Sequence, residues 1–137
     1  MEKKGEMTKD ELVRDWVEQS DRDVPVMETL FANGHYVWAL FVGHLVTEKL
    51  LKAYYIEKVD TNVPYIHNLA KIASLSSLAL TKEQEEFLIE VTDFNLKARY
   101  EDHRHRFYKK ATRDFARRYI ERIKEFRSWL KQQLIKT

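Results

Sequence analysis

The densest chemistry in this 137-residue chain lies in one run, Arg99-Tyr100-Glu101-Asp102-His103-Arg104-His105-Arg106-Phe107-Tyr108. Breaking an RNA strand without a metal takes a base for the 2′-hydroxyl, an acid for the departing 5′-oxygen and a cation for the charge that builds on phosphorus. Imidazole titrates near neutrality and can fill either proton role. A guanidinium fills the third, because its planar fork pairs with phosphate oxygens. Arg99 and His105, with five residues between them, are the pair this chain offers for that work. Arg-x5-His is a common spacing in an arginine-rich chain, so the spacing alone specifies little.

The run sits at an electrical boundary. From Lys97 to Thr137 there are fourteen Lys/Arg against five Asp/Glu, a balance of +9, whereas the first 96 residues carry ten against seventeen, a balance of −7. A polyanion is the natural partner for the basic end, since each phosphate contact releases condensed counterions. The plainer alternative is that a charge run along a helix is only its solvated face.

Three glycines and two prolines in the whole chain leave almost no turn chemistry for hairpins, so the expected class is all-α. A 44% hydrophobic share with 34% charged residues fits a folded chain, and 137 residues fit one domain spanning 1–137, its first eight residues flexible. With no cysteine there is no disulfide, zinc–thiolate site or thiol nucleophile. No secretory leader is visible in Met1–Asp10, and the longest apolar stretch, Tyr36–Val46, is too short to span a bilayer. The expectation is a soluble, cytoplasmic protein without membrane contact.

The elements follow from periodicity and caps. Thr8 and Glu11 form a capping box opening a helix to Ala32, with a kink or break expected near Asp23-Val24 from Pro25, and Asn33-Gly34 ending it in left-handed conformation. A second helix from Tyr36 to Glu57 or Lys58 is apolar nearly all round in its first turns, which marks the centre of a bundle; Ala39 and Gly43 would admit a close neighbour. His67–Leu75 reads as a short helix. Thr81 and Gln84 open a helix to about Lys97 with Phe87, Leu88, Val91 and Phe94 inside. A last helix begins between Tyr108 and Thr112 and runs to Leu134. Its seam is Phe115, Tyr119, Ile123, Phe126, Leu130 and Leu134, with Lys110, Arg113, Arg117, Lys124, Arg127 and Lys131 facing outward. The predicted architecture is an up-and-down bundle of four long helices plus one short one, with Arg99 at a helix end and His105 in the loop or turn that follows.

Other candidates read as structural. His44 and Glu48 are one turn apart, and without an H-E-x-x-H pattern His44 is expected to be a core histidine satisfied by a carboxylate or backbone group. His67 is expected to sit at a helix start and help cap its amides. Trp16, Trp38 and Trp129 are expected to pack. No Gly-rich phosphate loop and no metal-ligand spacing occurs, so neither cofactor nor metal is expected.

Several segments in order resemble the HEPN domains of prokaryotes (higher eukaryotes and prokaryotes nucleotide-binding), over roughly Leu12 to Leu130. They are Trp16 and Asp23, then Asn33-Gly34-His35-Tyr36-Val37-Trp38-Ala39, and Glu48-Lys49-Leu50-Leu51-Lys52-Ala53-Tyr54, which is similar to the family's E-K-x-L-K-A signature. His67-Asn68-Leu69 resembles its H-x-L, and Asn95-Leu96-Lys97-Ala98-Arg99-Tyr100 resembles the segment that often reads ARYP. The resemblance implies a helical bundle that forms homodimers. In active members it implies metal-free RNA cleavage by two Arg-x4–6-His motifs that meet across the dimer cleft. Many members are toxins paired with an MNT-type nucleotidyltransferase antitoxin, and others bind nucleotides or partners without catalysis. Carried over, the motif falls on Arg99 and His105. Arg104, Arg106, Lys109 and Lys110 would then hold flanking phosphates, with Tyr100, His103 and Tyr108 as accessory candidates. Two positions depart from the family pattern: Tyr100 stands where a polar residue usually follows the arginine, and Tyr108 lies one residue beyond the place of the tyrosine that such antitoxins modify with AMP.

Overall fold

The computed structural model describes residues 7–135; Met1–Glu6, most of the segment expected to be flexible, lie outside the described residues. The capping box at Thr8 and Glu11 forms in both directions and opens α1 (Lys9–Ala32). Contrary to the expected break, α1 runs on through Pro25. Proline removes the bond its nitrogen would give to the Asp21 carbonyl and crowds that carbonyl with its ring, and the helix is clamped on both sides of that point. Ser20 and Met27 are both fully buried, and Ser20 Oγ donates to the Val46 carbonyl 2.8 Å away. Gly34, at φ +80°, ends the helix in the left-handed region as expected.

The central helix is α2 (Tyr36–Lys58), fourteen of whose twenty-three residues are buried. Gly43 is the point of closest approach. A Cβ there would lie 2.6 Å from Ile123 Cδ1 and 3.3 Å from Met27 Sδ, so α1 and the last helix both press against this one position. The short helix α3 (Leu69–Leu75) begins later than predicted because Asn68 takes the cap, its side chain accepting from the Lys71 amide at 3.1 Å. His67 is therefore not a capping residue. Thr81 and Gln84 form their box at the head of α4 (Lys82–Arg99), which buries Phe87, Leu88, Val91 and Phe94.

A sixth helix replaces the predicted loop. After one extended residue, Tyr100 (φ −100°, ψ 125°), the chain enters α5 (Glu101–Lys110), so the described residues form six helices rather than four long and one short. Nothing in the local sequence announces this break, since it has neither glycine nor proline. The α5 termini suit its dipole, with Glu101 and Asp102 in the first turn and Lys109 and Lys110 in the last. Its one buried side chain, Phe107, stacks on Phe94 at 5.4 Å and meets Phe115 edge-on at 6.4 Å, pinning α5 to α4 and to α6 (Arg113–Ile135).

The predicted seam of α6 faces inward, but not all its basic residues face open solvent. Arg127 and Lys131 both pair with Asp21, and Lys124 pairs with Glu28, so α1 neutralises much of that helix.

A buried polar stripe crosses the core on α2 at His44, Glu48 and Lys52. His44 Nε2–H donates to the His67 carbonyl at 2.9 Å, whereas its Nδ1 is buried without a hydrogen-bond partner among the described residues. Lys52 Nζ donates to Glu48 Oε2 at 3.2 Å and lies over the Trp16 ring. Among the described residues no helix is long and apolar enough to cross a membrane.

Phe107→Ala should cost about 3–5 kcal/mol in chemical denaturation, with amide exchange rising first across residues 101–110; unchanged protection there would mean Phe107 is not the anchor of α5. The core histidine makes a separate demand on pH. Burial pushes the His44 imidazole below its usual pKa, outweighing the opposing pull of the His67 carbonyl and Glu48. Between the lowered folded value and the unfolded value near 6.5, the unfolded chain binds more protons, so stability falls as pH drops through that window. Urea midpoints compared between about pH 7.5 and about pH 5.5 should fall further for the wild type than for His44→Gln.

Candidate functional site

Arg99 ends α4, and its side chain lines an open groove of about 650 Å³ whose wall also includes His67, Glu90, Thr92, Leu96 and Tyr100. A smaller groove of about 400 Å³ adjoins it on the α5 side, sharing Leu96 and Tyr100 and adding Glu101, Asp102 and His103. Together they make one continuous corner where α4 turns into α5, bordered by the loop before α3.

The sequence-predicted residues divide into two groups at this corner. Arg99, His103, His105, Arg106 and Lys109 are exposed, and among the described residues their side chains make no hydrogen bond or ion pair. Arg104, half-buried, is engaged by the fold, and Lys110, though exposed, lies beside a ring. Arg104 Nη1 donates to the Ala98 carbonyl at 3.2 Å, closing an orphan acceptor in the last turn of α4, and its guanidinium lies over Trp38. Lys110 lies over Phe115. Tyr100 and Tyr108 are each about half exposed, at 53% and 54%.

The register of α5 explains the division. Arg104 and Phe107 are three residues apart and turn toward the bundle, which puts His105 and Arg106 on the opposite side, facing out. Within one chain Arg99 lines the larger groove and His103 the smaller, whereas His105 lines neither.

One participant escapes the sequence reasoning. His67 reads there as a helix start, yet its ring lines the Arg99 groove with 56% of the side chain exposed. Its Nδ1 lies 2.8 Å from Glu48 Oε1, so Nδ1–H donates to a buried carboxylate. The available signal is indirect: a Glu and a Lys on a helix otherwise buried all round need partners from elsewhere.

The acids at the groove are partly spoken for. Glu90 accepts a hydrogen bond from the Tyr119 hydroxyl, and burial together with that carboxylate pushes the phenol up to about 12. Asp93 pairs with Lys97 at 2.8 Å. Among the described residues no three His, Cys, Asp or Glu side chains gather as a metal site.

The comparisons with known proteins agree with this architecture. The crystal structure of TT1696 from Thermus thermophilus superposes with a TM-score of 0.74 at 19% identity, covering 88% of this chain and 96% of that one. That likeness is one of fold. No curated protein matches the chain significantly. The sequence model of the HEPN domain matches residues 13–133, from the first turns of α1 to the end of α6, and the chain belongs to the HEPN domain family.

Proposed function

We propose that this HEPN-domain protein is a metal-independent endoribonuclease of the toxin or defence type, acting on RNA as a homodimer. The observation that carries the reading is the uncommitted state of Arg99, His105, Arg106 and Lys109 at one corner, while Lys97, Arg104, Lys124, Arg127 and Lys131 are held by internal partners. Unpaired cations on an open surface keep their full attraction for phosphate.

In this mechanism Arg99 clamps the scissile phosphate and stabilises the charge that gathers on it. His105 transfers a proton, Arg106 and Lys109 hold flanking phosphates, and Tyr100 and Tyr108 offer faces for stacking bases. His105 faces outward on α5, so it meets an arginine clamp most directly when a second subunit docks on that face. The attacking group is the 2′-hydroxyl, so the products carry 2′,3′-cyclic phosphate and 5′-hydroxyl ends.

A second reading is a non-catalytic module that binds a nucleotide or an MNT-type nucleotidyltransferase partner. The observation favouring it is the apolar character of the same corner, where Ile89, Leu96 and Tyr100 are each about half exposed beside Glu90 and Asp93.

The deciding experiment is cleavage of a mixed RNA pool in EDTA by identically purified wild type, Arg99→Ala and His105→Ala. Wild type should cleave RNA but not DNA and lose activity steeply with added salt. Each variant should fall by about 100-fold or more while melting as the wild type does, because both side chains are exposed. Cleavage by either variant at the wild-type rate removes that residue from the mechanism, and an inert wild type moves the assignment to the binding module.

A further inference from the structure

Cleavage through a 2′-hydroxyl needs two proton-transfer groups, and in the dimer proposed above His105 supplies one of them. We propose that His67 is the other: the base that takes the 2′-hydroxyl proton in the Arg99 groove, with Glu48 as its positioning residue. The inference rests on the ribonuclease reading and adds a residue from the loop before α3, outside the Arg99–His105 run.

Four observations converge on His67. His67 lines the same groove as Arg99, and in the proposed mechanism both meet one bound phosphodiester there. Its Nδ1 is fixed at 2.8 Å by Glu48 Oε1, a carboxylate 6% exposed at the residue level and built into the most buried helix of the fold. Its backbone is fixed separately, because the carbonyl of His67 accepts from His44 Nε2 at 2.9 Å. Both anchors stand on one face of α2, a single turn apart, and Lys52 holds the far oxygen of Glu48 one turn further on. A loop residue gripped at ring and backbone by a rigid helix has the preorganisation that a proton-transfer group requires.

The tautomer follows. An ionised carboxylate only accepts, so the proton of neutral His67 sits on Nδ1 and Nε2 carries the lone pair. Nδ1 is turned to Glu48 while 56% of the side chain is exposed, so in the proposed mechanism Nε2 takes the groove side. The neighbouring His44 cannot take this part, being fully buried with its Nε2–H already given to a carbonyl.

In the reaction, His67 Nε2 removes the 2′-hydroxyl proton, and the 2′-oxygen bonds to phosphorus while Arg99 pairs with the non-bridging oxygens. The bond from phosphorus to the 5′-oxygen breaks, and protonated His105 gives that oxygen its proton. The strand leaves as a 2′,3′-cyclic phosphate and a 5′-hydroxyl, and proton exchange with water restores both imidazoles.

The test is steady-state cleavage of a short RNA in EDTA by the full chain, comparing wild type with His67→Gln, Glu48→Gln, Arg99→Ala and His35→Gln. Binding of the 2′-deoxy analogue of the same strand is measured in parallel. His67→Gln should lower kcat by about 100-fold or more with KM and analogue affinity unchanged, and Glu48→Gln should lower kcat in the same sense. His35→Gln, at an exposed site away from the groove, should cleave as wild type. Because Glu48 is buried and its variant can fail to fold, nitrogen-15 shifts of the His67 ring in the wild type provide a readout independent of activity, expected to show the Nδ1–H form. Full cleavage by His67→Gln beside an inactive Arg99→Ala would overturn the role of His67 and leave the ribonuclease assignment standing. Equal losses of kcat and analogue affinity in His67→Gln, or an Nε2–H ring, would also overturn it. An inert wild type would overturn both proposals together.

Discussion

A carboxylate inside an apolar helix must be met by donors on every side, and Glu48 imposes that condition on the centre of this fold. Left unpaired at that depth, the charge would cost several kcal/mol, more than any one ordinary contact returns. Lys52 meets it from the same helix, one turn on, and His67 reaches it from the loop that leads into α3. The consequence is geometric. A ten-residue stretch between α2 and α3, poor in buried side chains, is tied down near its end by a side chain and a carbonyl, both gripped by α2. From there Asn68 caps α3, and the Leu69 amide donates to Thr92 Oγ1 of α4 at 3.0 Å. The groove at the α4–α5 corner thus owes one wall to a charge in the core.

A second division concerns the cations. The acidic α1 lies against α6 and pairs three of its basic side chains through Asp21 and Glu28. Each such pair, part-exposed, contributes little to stability, on the order of 0–1 kcal/mol. Their larger effect is on the field. Bases held beside acids present a weak net charge to a distant phosphate, whereas the side chains near the α4–α5 turn that lack ion-pair partners are less offset. The excess of +9 in the last forty-one residues is therefore partly offset along α6 by the two carboxylates of α1.

The same distinction between local and distant partners separates what is readable in the chain from what is not. Both capping boxes, the all-round apolar α2, the close approach at Gly43 and the seam of α6 are local or periodic signals, and the structure bears each of them out. What escapes depends on residues far away in sequence. Pro25 does not break α1, because contacts with α2 on both sides of it hold the helix. Helix α5 is hidden because a single extended tyrosine separates it from α4, and its one anchoring residue, Phe107, finds its ring partners on two other helices. His67 has the look of a cap because Asn68, the true cap, is its neighbour, while its actual partner is nineteen residues away.

The escape of α5 bears on the chemistry as well as the count of helices. A loop would leave the orientations of Arg104, His105 and Arg106 independent of one another. A helix couples them at steps of about 100°, so turning Arg104 inward to the Ala98 carbonyl and the Trp38 ring obliges its two successors to face out. Arg104 is then a structural arginine inside a run that reads as uniformly basic, and its commitment is what presents His105. Substituting it would be felt through α5 and through the end of α4 together, since the same guanidinium closes one helix and orients the next. The fold family leaves open whether a given member is catalytic. In this member the proposed ribonuclease chemistry requires an outward histidine on α5, an arginine at the end of α4 and an anchored histidine from the loop before α3 to meet at one phosphate.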